Sequence, residues 1–230
     1  MAIVNRNSLA ATLDAVNEAH FYSRPLAGDE KLEAARWIAG RQGLPGTYAG
    51  LPAPTDLDCK EGARAFTGDK IRSGGGLGHI LGEEACRALI VLDVPDAEVQ
   101  AALARATEGM MSRLYHETGE PNMGCWGTYC CGICSVAYWR HLAVGGLRDS
   151  EARLAAGVET LRACRDPKGR WGHFPFYYAL LALSEIGLPA AVEELRYAAP
   201  VCERSLKRSA KDDRYARRRR DLVERVLARA

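Results

Sequence analysis

The chain has almost no strand signal. Over its 230 residues there is no sustained alternation of apolar and polar side chains and there are few β-branched runs, which excludes a sandwich, a barrel or a doubly wound sheet. No stretch of about 18 uncharged apolar residues is present, so no membrane-spanning helix is expected. The opening, MAIVNRNSLAATLDAVNEAHF, has no basic start, no unbroken apolar core and no cleavage pattern; a soluble, cytoplasmic protein is the expectation. Without an export signal, the eight cysteines read as reduced thiols, most of them small buried hydrophobes. The glycines of SGGGLGHILGEE are preceded by no strand and followed by no GKS or GKT, which removes a phosphate-cradling loop. They read instead as a turn leading to a helix start at His79, with Glu83 and Glu84 as solvated acids of its first turn. A metal-binding DDxxD motif is also absent.

What is there is helical. Apolar residues recur at spacings of three and four almost throughout, and at 47% hydrophobic residues the chain can bury one sizeable core. Val99, Leu103, Ala106, Met110 and Leu114 form one stripe, and Leu154, Val158 and Leu161 form another behind Asp149 and Ser150; both describe half-exposed outer helices. By contrast, the segments 129 to 144 and 174 to 187 are apolar around nearly the whole circumference, apart from Arg140 and His141 in the first. Such helices are buried on all sides. With a third near 80 to 92, they predict an all-α fold of antiparallel pairs, an outer helix followed by an inner one.

A turn of constant composition joins the pairs. Gln42 to Tyr48 (QGLPGTY), Glu120 to Trp126 (EPNMGCW) and Arg165 to Trp171 (RDPKGRW) share a long polar residue, three positions, Gly, any residue, then Trp or Tyr. Gly124 and Gly169 lie 45 positions apart, a period that suits two helices and two turns. The form QxxxGxW followed by PxxYxxLxAL (Pro175, Tyr178, Leu181, Leu183) resembles the repeat of squalene and hopene cyclases and of protein prenyltransferase β subunits. That resemblance implies an α/α toroid, here small or incomplete, with four or five helix pairs over residues 1 to 205. It also implies an aromatic-lined cup for a hydrophobic, isoprenoid-like ligand and a lyase, transferase or cyclase activity.

The resemblance nominates site residues. Cyclases of this type carry a DxDD motif whose middle Asp donates a proton; PTDLDCKEG offers Asp56 and Asp58 as the catalytic pair, with Cys59 in place of the last Asp. The same residues also read as the N-terminal cap and first-turn acid of a helix. Nine of the seventeen Phe, Tyr and Trp fall between Trp126 and Tyr178, and Trp126, Tyr129, Trp171, Phe174, Tyr177 and Tyr178 are the candidate ligand-binding rings. Prenyltransferases hold zinc at the inner end of a helix, and the cysteines of GCWGTYCCGIC sit at the start of one. Cys130, Cys131 and Cys134, with His173 as fourth ligand and Cys125 as its substitute, form the candidate zinc site, in which the metal would activate a thiolate.

The remaining signal is charge. Net charge is +2, yet from Arg204 onward eleven Lys or Arg face four Asp or Glu. The segment 206 to 230 reads as a basic helix packed on the same domain. Tyr215 is its single ring, which argues against nucleic acid, while contact with an anionic membrane surface remains open. An exposed end pair in an incomplete ring would suit a homodimer. A non-catalytic helical-repeat protein that binds a protein partner is the alternative reading.

Overall fold

The computed structural model describes residues 3–72, 74–116, 118–207 and 213–230. Among them it is all-helical, without a named strand. The helices are α1 (Leu9–Phe21), α2 (Gly28–Ala39), α3 (Asp56–Glu61), α4 (Gly74–Leu92), α5 (Ala97–Leu114), α6 (Gly132–Ala143), α7 (Ser150–Ala163), α8 (Phe176–Glu185), α9 (Pro189–Leu206) and α10 (Arg214–Arg229). Polar caps begin several of them: Ser8 accepts from the Ala11 amide, Asp96 from Glu98 and Val99, and Asp213 from Tyr215 and Ala216.

The two predicted kinds of helix are both present. On α5, Val99, Ala106, Met110 and Leu114 are buried and Leu103 is half-buried; on α7, Leu154, Val158 and Leu161 are buried. Helices α4, α6 and α8 are buried nearly all round, as their composition requires. They pack in the sequence α1, α4, α6, α8, α10, with α2, α5, α7 and α9 outside. Arg218 of α10 then pairs with Asp14 and Glu18 of α1, so the chain of contacts returns to its start. Helix α10 thus covers α1.

Levels of contact show that these five helices run the same way. Asn17, Glu84, Arg140 and Tyr178 are joined by hydrogen bonds inside α1, α4, α6 and α8, past the helix starts. At the other level Gly76, Gly132 and Pro175, each at or just before a helix start, surround one cavity. Helix α10 follows suit, since Asp14 meets Arg218 while Tyr22 meets Asp221.

Two expectations about α4 are corrected. The helix begins at Gly74, not at His79. A β-carbon on Gly78 would lie 2.9 Å from the Gly46 carbonyl, and one on Gly82 would lie 2.6 Å from the Leu51 side chain. The glycines therefore let the segment 46 to 51 lie directly on the helix, which outweighs their poor helix propensity. Glu83 and Glu84 are not solvated: both are buried in the helix interior.

The repeat is real but sits elsewhere. Arg64 with Lys70, Tyr115 with Pro121 and Arg165 with Trp171 are bridged pairs that close three identical hairpins. Gly68, Gly119 and Gly169 occupy the same place in each, with φ of 90°, 80° and 83°. In each, the glycine amide bonds the carbonyl three residues back, and the residue after the first bridge member bonds four residues ahead. Each hairpin joins an outer helix, or the segment after it, to an inner one. Of the three turns expected from sequence, only Arg165 to Trp171 coincides with such a hairpin.

Candidate metal and ligand site

The N-terminal ends of α4, α6 and α8 open on a cavity of 660 Å³. Cys130, Cys131 and Cys134 line it, and so do His173 and Phe174 from the segment before α8. Local backbone explains the arrangement. Cys130 and His173 both have positive φ, 25° and 67°, each just ahead of an inner helix. Gly132, the first residue of α6, lies against the His173 carbonyl, where a β-carbon would come to 2.0 Å. Only glycine lets these two helix starts meet, and the meeting puts His173 on the same cavity as the thiols.

The three sulfur atoms lie within 4.8 Å of one another. Cys131 and Cys134 Sγ are 3.2 Å apart, as i and i+3 residues at a helix start. A tetrahedral zinc with bonds of about 2.3 Å needs sulfurs about 3.8 Å apart, so the trio fits such an ion with small side-chain adjustment. The group within 4.8 Å does not extend to His173, so the fourth ligand expected from sequence is not among the gathered donors. The side chain of Cys125 lies outside the described residues.

The thiols differ in acidity. Burial pushes Cys131 up, but the amides of Cys134 and Ile133 and the neighbouring thiols outweigh it, and its net shift is downward. Burial pushes Cys134 up, reinforced by Cys131 and Cys130. Of the two, Cys131 is the more readily deprotonated and the first that an incoming cation would draw to its thiolate.

The other nominated residues are placed differently. Asp58 accepts from the Ser8 hydroxyl at 2.6 Å, the Leu9 amide at 2.8 Å and the Thr55 amide and hydroxyl, both at 2.9 Å. Thr55 caps α3 in return, through the Asp58 amide at 3.2 Å. This is a capping box that also ties down the start of α1, so the geometry gives Asp58 a structural place rather than that of a proton donor. Asp56 is exposed.

The six rings do not converge on one cup. Phe174 lines the thiol cavity and stacks on Trp139 at 5.3 Å. Tyr177 faces a different cavity. Trp171 is buried and donates to Glu194 at 3.0 Å, Trp126 lies under the Arg153 guanidinium, and Tyr129 bonds the Tyr48 hydroxyl at 2.5 Å. Tyr178 donates to Glu84. What occupies the centre of the helix circuit is a charge network. Arg87 reaches Asn17 and Glu185 at 2.8 Å, and Arg140 binds Glu185 at 2.9 Å and also Glu84. Burial raises the Glu185 carboxyl, but Arg140 and Arg87 hold it below its ordinary value.

Beside it, Glu83 bridges two buried imidazoles, bonding His141 Nδ1 and, at 3.3 Å, His79 Nε2. Burial works against its charge, yet the two histidines hold its carboxyl down at about 2. Sequence reasoning missed both clusters; the only sign was charge inside an otherwise apolar helix, at Arg140 and His141.

No protein-family profile, curated protein sequence or solved structure matches this chain. None of its described helices is long and apolar enough to cross a membrane.

Proposed function

We propose that this is a zinc–thiolate protein, in which Cys130, Cys131 and Cys134 hold the ion and a ligand enters the cavity beside its open position. The observation that carries this is the three sulfurs within 4.8 Å at the edge of a 660 Å³ cavity. Ile71, Ile80, Ile133, Phe174 and Pro175 give that cavity an apolar wall, which suits a hydrophobic, isoprenoid-like ligand. Bound zinc would supply a stabilised thiolate or Lewis acidity there. The protein's own residues set the sulfur geometry, keep His173 on the cavity wall and exclude water with the apolar wall. A small α/α toroid of the cyclase and prenyltransferase type accords with the circuit of five parallel helices.

Metal content tests this. Protein purified without added metal should carry about one zinc per chain, and Cys134→Ser should lose it while keeping its far-ultraviolet circular dichroism. A wild-type content near zero removes the proposal.

A second reading has its own support. The centre of the helix circuit is filled by the Glu84, Arg87, Arg140 and Glu185 network, as a non-catalytic protein that binds a partner would allow. Metal-free protein with an empty apolar cavity would favour it.

A further inference from the structure

A second cavity, of 890 Å³, lies beside the thiol cavity, and the hairpin around Gly68 and the segment 170 to 177 contribute residues to both. Six cations line it: Arg64, Lys168, Arg170, Arg204, Arg219 and Arg220. A single carboxylate, Asp213, stands against them, and it accepts the Tyr215 and Ala216 amides as the cap of α10. Among the described residues only Arg220 pairs with a carboxylate, Glu224, at 3.5 Å.

The other guanidiniums are held by neutral groups. Arg219 donates to the Thr67 carbonyl at 2.6 Å, Arg64 to the Gly68 carbonyl at 2.7 Å and Arg204 to the Lys168 carbonyl at 3.3 Å. A carbonyl fixes a side chain without cancelling its charge. The same helix shows the alternative: Arg214 and Arg218 turn the other way and are neutralised by Asp14 and Glu18. Of the seven arginines of α10, two are thus spent on α1, while Arg219 and Arg220 line this cavity. Rings complete the wall. Gly68, at φ 90°, lies so close to Tyr215 that a β-carbon would come to 2.8 Å of its Cγ, and Tyr177 carries the Arg219 guanidinium 4.9 Å from its ring centre.

We propose that this cavity binds a nucleoside diphosphate, its phosphates among the six cations and its base against Tyr177 or Tyr215. A single phosphate can use two or three cationic side chains, so five guanidiniums and one ammonium suit at least two phosphate groups. The volume lies within the range of small-molecule sites, and two half-buried rings offer a stacking surface for a flat body. A concave site with charges converging on it differs from the extended stripe that would track a nucleic-acid backbone.

Calorimetric titration of the full chain at low salt with pyrophosphate, ADP, adenosine and a short single-stranded oligonucleotide tests this. Pyrophosphate and ADP should bind, ADP more tightly, and adenosine should not. Lys168→Gln with Arg170→Gln, both exposed and outside the core, should weaken both phosphate ligands by about tenfold or more. Tyr177→Leu should reduce ADP toward the affinity of pyrophosphate. Absence of pyrophosphate and ADP binding at millimolar concentration, affinities unchanged by the Gln substitutions, ADP no tighter than pyrophosphate, or an oligonucleotide that displaces ADP would each overturn it. The proposal stands apart from the zinc reading, and Cys134→Ser should bind ADP as the wild type does.

Discussion

The middle and the N-terminal rim of the same inner helices handle polar groups in opposite ways. At mid-height, Glu84, Arg87, Arg140 and Glu185 are matched charge for charge and almost closed to solvent. At the rim, three thiols gather at one cavity, and a second cavity is lined by six cations, three of which are held by carbonyls. The difference bears on function: charge answered by charge inside the protein holds it together, while cations held by neutral groups at a cavity keep their charge for an anion.

The largest effect that would sharpen this contrast is expected at the centre. Arg140→Met leaves Glu84 and Glu185 buried with fewer cations, and should cost about 3–5 kcal/mol in urea unfolding or prevent folding altogether. If instead the variant is as stable as the wild type, the central network is not what fixes the helices. Next comes acid stability. The Glu83 carboxyl lies at about 2 in the folded protein against an ordinary 4.5. Its stabilising share is therefore complete above about 4.5 and lost as pH falls toward 2. A shift of this size is worth on the order of 3 kcal/mol. The urea midpoint should fall across that window in the wild type and less steeply in Glu83→Gln. The smallest effect concerns Asp58, where Asp58→Asn should cost about 1 kcal/mol by thermal unfolding, as the loss of a cap does, with zinc content unchanged. A large loss of activity or metal without loss of stability would return Asp58 to the site.

Periodicity carried the helical part of the fold. The stripe on α5 and the all-round apolarity of α6 and α8 each reflect one local cause, burial of a face or of a whole helix, and such causes are written in neighbouring residues. The central network was not legible because its partners lie far apart in sequence: Glu84 meets Arg140 and Tyr178, and nothing near Glu84 announces them. Aromatic residues drew the repeat to the wrong turns. The true repeat rests on a positive-φ glycine and two bridged positions, whose side chains vary freely because the hairpin is held by backbone bonds. The cysteine trio was legible as spacing, since i and i+3 residues at a helix start must meet, while its approach to His173 depended on Gly132, a contact between two helix starts 41 residues apart.

The common direction of α1, α4, α6, α8 and α10 has a further physical result. Peptide dipoles align along each helix and leave roughly half a positive charge at its N-terminus. The starts of α4, α6 and α8 open on the thiol cavity and that of α10 on the cation-lined one, so amide ends bring partial positive charge to both at short range. The outer helices α5, α7 and α9 end on the same side with the opposite sign, so the two sets largely offset each other at a distance. The carbonyl ends of the inner helices lie on the other side, where His20 closes α1 and Arg229 donates to the Ser184 carbonyl. An anion therefore feels these dipoles only once it is within about a turn of a cavity.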